Sequence, residues 1–241
     1  MSWDVTHEGA VAVVSVDRPP KNLMSFALLH ELDELLEEIG NDQTTAVVVI
    51  TAARPGMFVG HADRDDLDKV GRGELASTEF ESWLWTLRRI ETIPQPVIAA
   101  IDGPAWGGGC ELALACTLRI GSPRAEFCQM EIVRGAIPGA GASQRLPRLI
   151  GASRAAEMIL TGRPVDAQEA KEIGLLNALV DAPDFRAAAL QWAAELAGRR
   201  RPALVAAKQA LYEGQELPLL EGLMHEQQLF LDVFSDLVKE L

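Results

Sequence analysis

I-D-G-P-A-W-G-G-G-C-E, running from Ile101 to Glu111, joins an apolar run at residues 97–100 to a helix-like segment at residues 112–116. The pattern predicts a strand that reaches a Gly-Pro turn, three glycines, and then a helix N-terminus carrying a carboxylate. Consecutive glycines let a substrate oxygen lie against backbone N–H groups with no Cβ in the way. A helix start adds unpaired donors and a dipole that favours developing negative charge. This stretch is therefore read as a cradle for an oxyanion, with Glu111 two residues beyond the glycines and close enough for proton chemistry.

Outward from this stretch the chain alternates strand and helix signals. Residues 10–16 (A-V-A-V-V-S-V) are short and β-branched, hence a strand. Phe26, Leu29, Leu32, Leu36 and Ile39 recur at a helical period with acids between them. Residues 46–51 are continuously apolar, as in a strand buried on both faces. Residues 56–66 read as a loop leading into an acidic, mobile segment around Gly71 and Gly73. Phe80, Leu84, Leu87 and Ile90 line one face of a helix that ends before Pro94. Residues 97–101, 118–120 and 125–129 are further strands; from Gly139 onward helices dominate, with one more short strand at residues 178–180. This is an α/β chain with a helical final third. Its best boundary lies before Arg199-Arg200-Arg201-Pro202, dividing a core of residues 1–198 from a helical tail of residues 199–241. Leu219, Leu223, Phe230, Val233, Phe234 and Leu237 give that tail an apolar face to pack on the core or on a partner subunit.

The 241 residues are enough for one large core, and a hydrophobic content of 48% with 24% charged residues is that of an ordinary globular protein. A net charge of −13 argues against nucleic acid and anionic membranes as partners. The first residues show no secretory signal, and apolar stretches such as residues 46–50 are far too short to span a bilayer. Cys110, Cys116 and Cys128 lack zinc-ligand spacing and read as buried free thiols, so a cytoplasmic location is expected and no metal site is assigned.

Glu131 lies twenty positions beyond Glu111, at the end of a strand-like run and before the loop Ile137-Pro138-Gly139-Ala140-Gly141-Ala142. Two carboxyl groups beside a glycine-lined cavity can divide acid and base duties, with burial and mutual repulsion raising at least one pKa. Spacing alone does not bring the two together, and on the residues alone a pair of surface carboxylates is the more ordinary reading. Phe58-Val59-Gly60-His61-Ala62-Asp63 offers a second candidate: Gly60 permits a sharp turn, and the Ala62 N–H is a further donor. His61 invites a general-base role, but an isolated loop histidine is more often bonded to backbone or water.

Together these residues resemble the crotonase, or enoyl-CoA hydratase/isomerase, superfamily. The matching landmarks are Arg18-Pro19 with Asn22, residues 58–63, residues 96–116, residues 137–141 with Gln144-Arg145-Leu146, and Leu160-Thr161-Gly162-Arg163 with Ala170. The resemblance implies a crotonase-like spiral of β-β-α units with a helical C-terminal region that supports homotrimers, often paired into hexamers. It implies an acyl-CoA thioester as substrate and no separate cofactor. By position, the backbone N–H groups of Ala62 and Gly108 would hold the thioester oxygen, with Gly60, His61, Asp63, Gly107, Trp83, Pro138 and Gly139 around the substrate. Lys21 is a candidate for CoA phosphates, as ordinary otherwise as any solvated lysine, and Arg54 is a weaker one. Hydratases of the superfamily carry glutamate at both acidic positions, and Glu111 and Glu131 fall on them. Both would hold a water, Glu111 assisting its attack on Cβ of a 2-enoyl-CoA and Glu131 delivering a proton to Cα.

Several positions depart from the usual pattern. His61 stands where glycine is usual, Cys128 and Met130 where glycine and proline are usual, Ala142-Ser143 in place of Gly-Thr, and Thr117 in place of aspartate. The tail is also shorter than the family's usual one. The most ordinary role of Trp83 and Trp85 is core packing; lining an acyl pocket is the alternative, where their indoles would select by shape. Enoyl-CoA hydration is the leading expectation. Double-bond isomerisation or another enolate-forming reaction on the same fold is the alternative, and a non-catalytic acyl-CoA- or RNA-binding role is a third, opposed by the acidity and the twin glutamates.

Overall fold

The computed structural model describes residues 3–240, the side chain of the last excepted. The chain opens with β1 (Trp3–Glu8), β2 (Val11–Val16), β3 (Leu23–Met24), α1 (Phe26–Asn41), β4 (Val47–Ala52) and β5 (His61–Ala62). Then come α2 (Arg64–Gly71), α3 (Glu79–Thr92), β6 (Val97–Ile101), β7 (Pro104–Trp106), α4 (Gly108–Ala115), β8 (Leu118–Gly121) and β9 (Glu126–Cys128). A single 3₁₀ turn, Glu131–Arg134, leads to α5 (Ala142–Ile150), α6 (Ala152–Thr161), β10 (Val165–Asp166), α7 (Ala167–Glu172) and β11 (Ala178–Leu179). The last helices are α8 (Phe185–Ala197), α9 (Arg201–Gly214) and α10 (Leu219–Glu240).

The main sheet has the order β1-β2-β4-β6-β8-β11, antiparallel between β1 and β2 and parallel elsewhere. Every residue of β2, β4 and β6 is buried, as continuous apolar runs require when both faces are covered. Strand alternation divides them. Ala12, Val14, Val48, Ile50, Ala99 and Ile101 face the core shared with α1, α3 and α4, while Val11, Val13, Val47, Val49, Ile98 and Ala100 face α8 through Phe185, Ala189 and Ala193. Two smaller sheets accompany it: β7 parallel to β9 with β10 antiparallel beside it, and β3 parallel to β5.

The expected strands and the long helices at residues 26–39 and around 80–90 are present, with ends moved by a residue or two. Two readings need correction. Residues 56–60 are loop as expected, but the loop does not continue to residue 66: β5 and α2 form over residues 61–71, and Asp63 caps α2 by accepting from the Asp65 N–H. The helix expected over residues 112–116 begins at Gly108, so two of the three glycines lie inside its first turn. Strands β1, β3, β5, β7 and β10 had no counterpart among the expected elements.

Helix α9 docks back on the core. Lys208, 3% exposed, donates to the carbonyls of Ile90, Ile93 and Gln95 at 2.8–2.9 Å, at the C-terminal end of α3. Burial pulls the Lys208 pKa down, and the helix's negative end opposes that by favouring the ammonium. Arg201 adds bonds to the carbonyls of Thr45 and Asp42. Helix α10 packs on α9 and leaves Leu219, Leu223, Phe230, Phe234 and Leu237 exposed in the single chain, with Phe230 and Phe234 stacked at 5.5 Å. Among the described residues no helix is long and apolar enough to cross a membrane.

Lys208→Met removes the donor and leaves three buried carbonyls unpaired. It is expected to lower stability by about 2–4 kcal/mol. Urea unfolding checks this through a lower midpoint at an unchanged slope.

Candidate active site

The stretch from Ile101 to Glu111 is pinned to residues 56–60 at two places. Asp102, buried, accepts from the Gly56 N–H at 2.7 Å and pairs with Arg124 at 2.6 Å. A Cβ on Gly103 would strike the Gly56 carbonyl, and one on Gly109 would strike the Val59 carbonyl, so only glycine permits these approaches. Gly108 lies against the buried ring of Trp83, where a Cβ would collide. Gly107, at φ 49° and ψ −121°, turns the chain into α4 while donating to the Cys128 carbonyl at 2.8 Å. All of α4 is buried, and its first turn lies beside β5.

Strand β5 is held by the Arg18–Asn22 turn. Asn22 accepts from the Arg18 N–H at 2.7 Å and donates to the Phe58 carbonyl at 3.0 Å. Gly60 donates to the Lys21 carbonyl, and Asp63 donates to that of Met24 at 2.7 Å. Strand alternation then turns the Ala62 N–H away from β3. The Asp63 carboxylate binds Arg18 at 2.9 Å as well as capping α2.

Glu111 projects from the first turn of α4, 3% exposed. Its Oε1 accepts from the N–H groups of Ala140 and Ala142 at 2.7 and 3.1 Å. Arg145 secures that loop by donating to the Ala140 carbonyl at 2.7 Å while pairing with Glu91. Burial pushes the Glu111 pKa up to about 7, against the two backbone bonds and Arg145, and the charge of Glu131 adds to the rise. Burial also raises Glu131, offset by its own N–H, His61 and Arg134. Glu131 Oε1 and His61 Nε2 lie 2.6 and 2.8 Å from where a Cβ on Gly107 would stand. The other oxygen, Oε2, is buried with no hydrogen-bond partner.

A cleft of about 360 Å³ opens beside these groups, lined among others by Lys21, His61, Ala62, Arg64, Trp106, Met130 and Arg134. Its wall is mostly apolar with three cations, despite the chain's net charge of −13. Of the expected substrate-site residues, Lys21, Gly60, His61 and Ala62 line this cleft, as do Phe58 and Met130 from the quoted motifs. Gly107, Gly108, Glu111 and Glu131 adjoin the first turn of α4. Trp83 packs beneath Gly108, whereas Trp85 faces outward at 61% exposure, and neither lines the cleft. The backbone donors to Glu111 are not those of Gly139 but Ala140, the next residue, and Ala142, where α5 begins. Arg54 is paired with Asp17. Arg64 and Arg134 also line the cleft without a sequence signal beyond the three-residue spacing of Arg134 from Glu131, and Trp106 of the glycine-rich stretch lines it without having an expected role. Cys128 donates to the Gly162 carbonyl, and Met130 joins the cleft wall. Among the described residues no group of three or more His, Cys, Asp or Glu is placed to hold a metal ion.

The enoyl-CoA hydratase/isomerase family model matches residues 6–240. A short-chain-enoyl-CoA hydratase of Clostridium acetobutylicum is 36% identical over 235 residues, 95% of this chain and 87% of that protein. A 2,3-dehydroadipyl-CoA hydratase of Escherichia coli is 38% identical over 229 residues, 94% of this chain and 88% of that protein. The crystal structure of an enoyl-CoA hydratase from Bacillus anthracis superposes with a TM-score of 0.92 at 37% identity, covering 98% of this chain and 92% of that one. The chain belongs to the enoyl-CoA hydratase/isomerase family and has its α/β crotonase fold, β-β-α units followed by C-terminal helices.

The raised Glu111 pKa carries a stability consequence. Between pH about 4.5 and about 7 the folded chain binds more protons at Glu111 than the unfolded chain, so stability falls as pH rises through that window. Glu111→Gln stays neutral throughout. Relative to wild type it is expected to gain about 3 kcal/mol at pH 8, a gain that shrinks away by pH 4. Urea unfolding at the two pH values checks this, and a difference independent of pH would contradict it.

Proposed function

We propose that this protein is a 2-enoyl-CoA hydratase. The observation that carries the reading is the placement of two carboxyl groups at the first turn of α4, Glu111 buried within it and Glu131 half-buried beside Gly107, both with raised pKa. In this reading the N–H groups of Ala62 and Gly108 hold the thioester oxygen and draw electrons from Cβ. Glu111, fixed by Ala140 and Ala142, takes a proton from a water as that water attacks Cβ. Glu131 gives its proton to Cα, and its unpartnered, half-buried position favours the protonated form this step needs. The chemistry so written uses no metal or redox cofactor, and CoA is part of the substrate. Lys21, Arg64 and Arg134 supply cations along the cleft suited to the CoA phosphates. The exposed apolar face of α10 supports a homotrimer or a pair of trimers. Three buried free thiols fit a cytoplasmic setting.

The test is purified protein with 2-enoyl-CoA esters of several chain lengths, followed by loss of the conjugated-thioester absorbance. Glu111→Gln and Glu131→Gln are each expected to lower kcat by about 10²-fold or more, with CoA-ester affinity nearly unchanged. Full activity in both variants would remove the acid/base assignment. Conversion of a 3-enoyl-CoA without hydration of any 2-enoyl-CoA would replace hydration by isomerisation.

A further inference from the structure

His61 is the departure that reaches furthest into the site. Its Nδ1 lies 2.8 Å from the Ala62 carbonyl oxygen. A carbonyl only accepts, so Nδ1 carries the proton, and Nε2 is the nitrogen free to gain or lose one. Nε2 and Glu131 Oε1 flank Gly107 from the same side, at 2.8 and 2.6 Å from the position its absent Cβ would take. That places the two atoms within the span of one bridging water. Gly107 is required for this convergence, because any side chain at that position would separate the pair. The ring also lines the open cleft, whereas Glu131 is more enclosed and leaves Oε2 without a partner. Other groups facing Glu131 are Arg134 on its own turn, Glu111 and Cys110 from α4, and Cys128 from β9; Lys21 and Arg64 line the cleft with His61. Of these, the free imidazole nitrogen is the group that can both accept a proton and donate one through a bridging water.

We propose that His61 is the proton-exchange partner of Glu131, returning a proton from the open cleft to its carboxylate after each turnover. The proposal rests on the hydratase reading for the direction of proton flow. Once Glu131 has protonated Cα it is a carboxylate. The Nε2–H bond of the imidazolium then breaks, a proton passes along one water, and an O–H bond forms at Glu131. The neutral ring regains a proton from solvent. Glu111 releases to solvent the proton it took from the attacking water, so no net proton is consumed.

The test is His61→Gly in the full-length protein. A relay one water removed from the carboxyl is expected to contribute about tenfold, below the range of a direct general acid. The predicted result is therefore a tenfold lower kcat at nearly unchanged KM, restored by imidazole added to the buffer. Wild-type kcat, or a loss that imidazole leaves unrepaired, overturns the proposal. Carbon-13 NMR of glutamate-labelled protein supplies a readout independent of turnover: His61→Gly moves the Glu131 titration to higher pH, and a titration that stays in place overturns the proposal. If wild type hydrates no 2-enoyl-CoA, the hydratase reading fails while the NMR result still decides the partnership. If glycine at this position prevents folding, His61→Gln takes its place in the kinetics and the NMR, with loss of kcat at unchanged KM and the same displacement expected.

Discussion

The site depends on one close approach, that of the Gly109 α-carbon to the Val59 carbonyl. No side chain fits between them, and the contact sets the first turn of α4 directly against the segment that ends in β5. The Gly103–Gly56 contact and the Asp102 bonds repeat the constraint at the other end of the same stretch. From that fixed origin, Gly108 lies on Trp83, Gly107 faces His61 and Glu131, and Glu111 points at the loop of Ala140 and Ala142. The glycines thus serve packing as much as access to a ligand. Two of them hold the helix in place, and one keeps the space between His61 and Glu131 open.

Burial then does the electrostatic work. A carboxyl in water is ionised near neutral pH, but Glu111 is 3% exposed and its ionised form is disfavoured until about pH 7. Two backbone N–H bonds stop the rise from going further and hold the side chain in one orientation. Glu131 is less enclosed and is tempered by cations, so the two carboxyls occupy different surroundings although both are displaced in the same direction. Such an arrangement is costly to stability and useful to proton transfer.

Much of this was legible in the residues. The continuous apolar runs at β2, β4 and β6 announced doubly covered strands, and the period of Phe26 to Ile39 announced α1. The Gly-rich stretch after a strand signals a helix start with donors; the start falls at Gly108, inside the glycines, because close packing on Val59 and Trp83 overrides glycine's low helix propensity. Other features leave no local pattern. Strands β3 and β5 are two residues long, too short for alternation to show. Strand β1 buries mainly Trp3 and presents polar side chains elsewhere, as an edge strand does. Helix α2 buries no residue, so its acidic composition reads as a loop until the Asp63 cap is noticed. The partners of Glu111 lie 29 and 31 residues away, a distance that only the path of the chain can close.

On the proposed hydratase function, the α4–β5 contact would serve to hold a thioester carbonyl against the N–H groups of Gly108 and Ala62. Isotope-edited infrared spectroscopy of an acyl-CoA carrying carbon-13 at that carbonyl tests the claim most directly. The carbonyl band is expected at lower frequency when bound than in water, as two fixed donors weaken the C=O bond. A bound band at or above the solution frequency would contradict it.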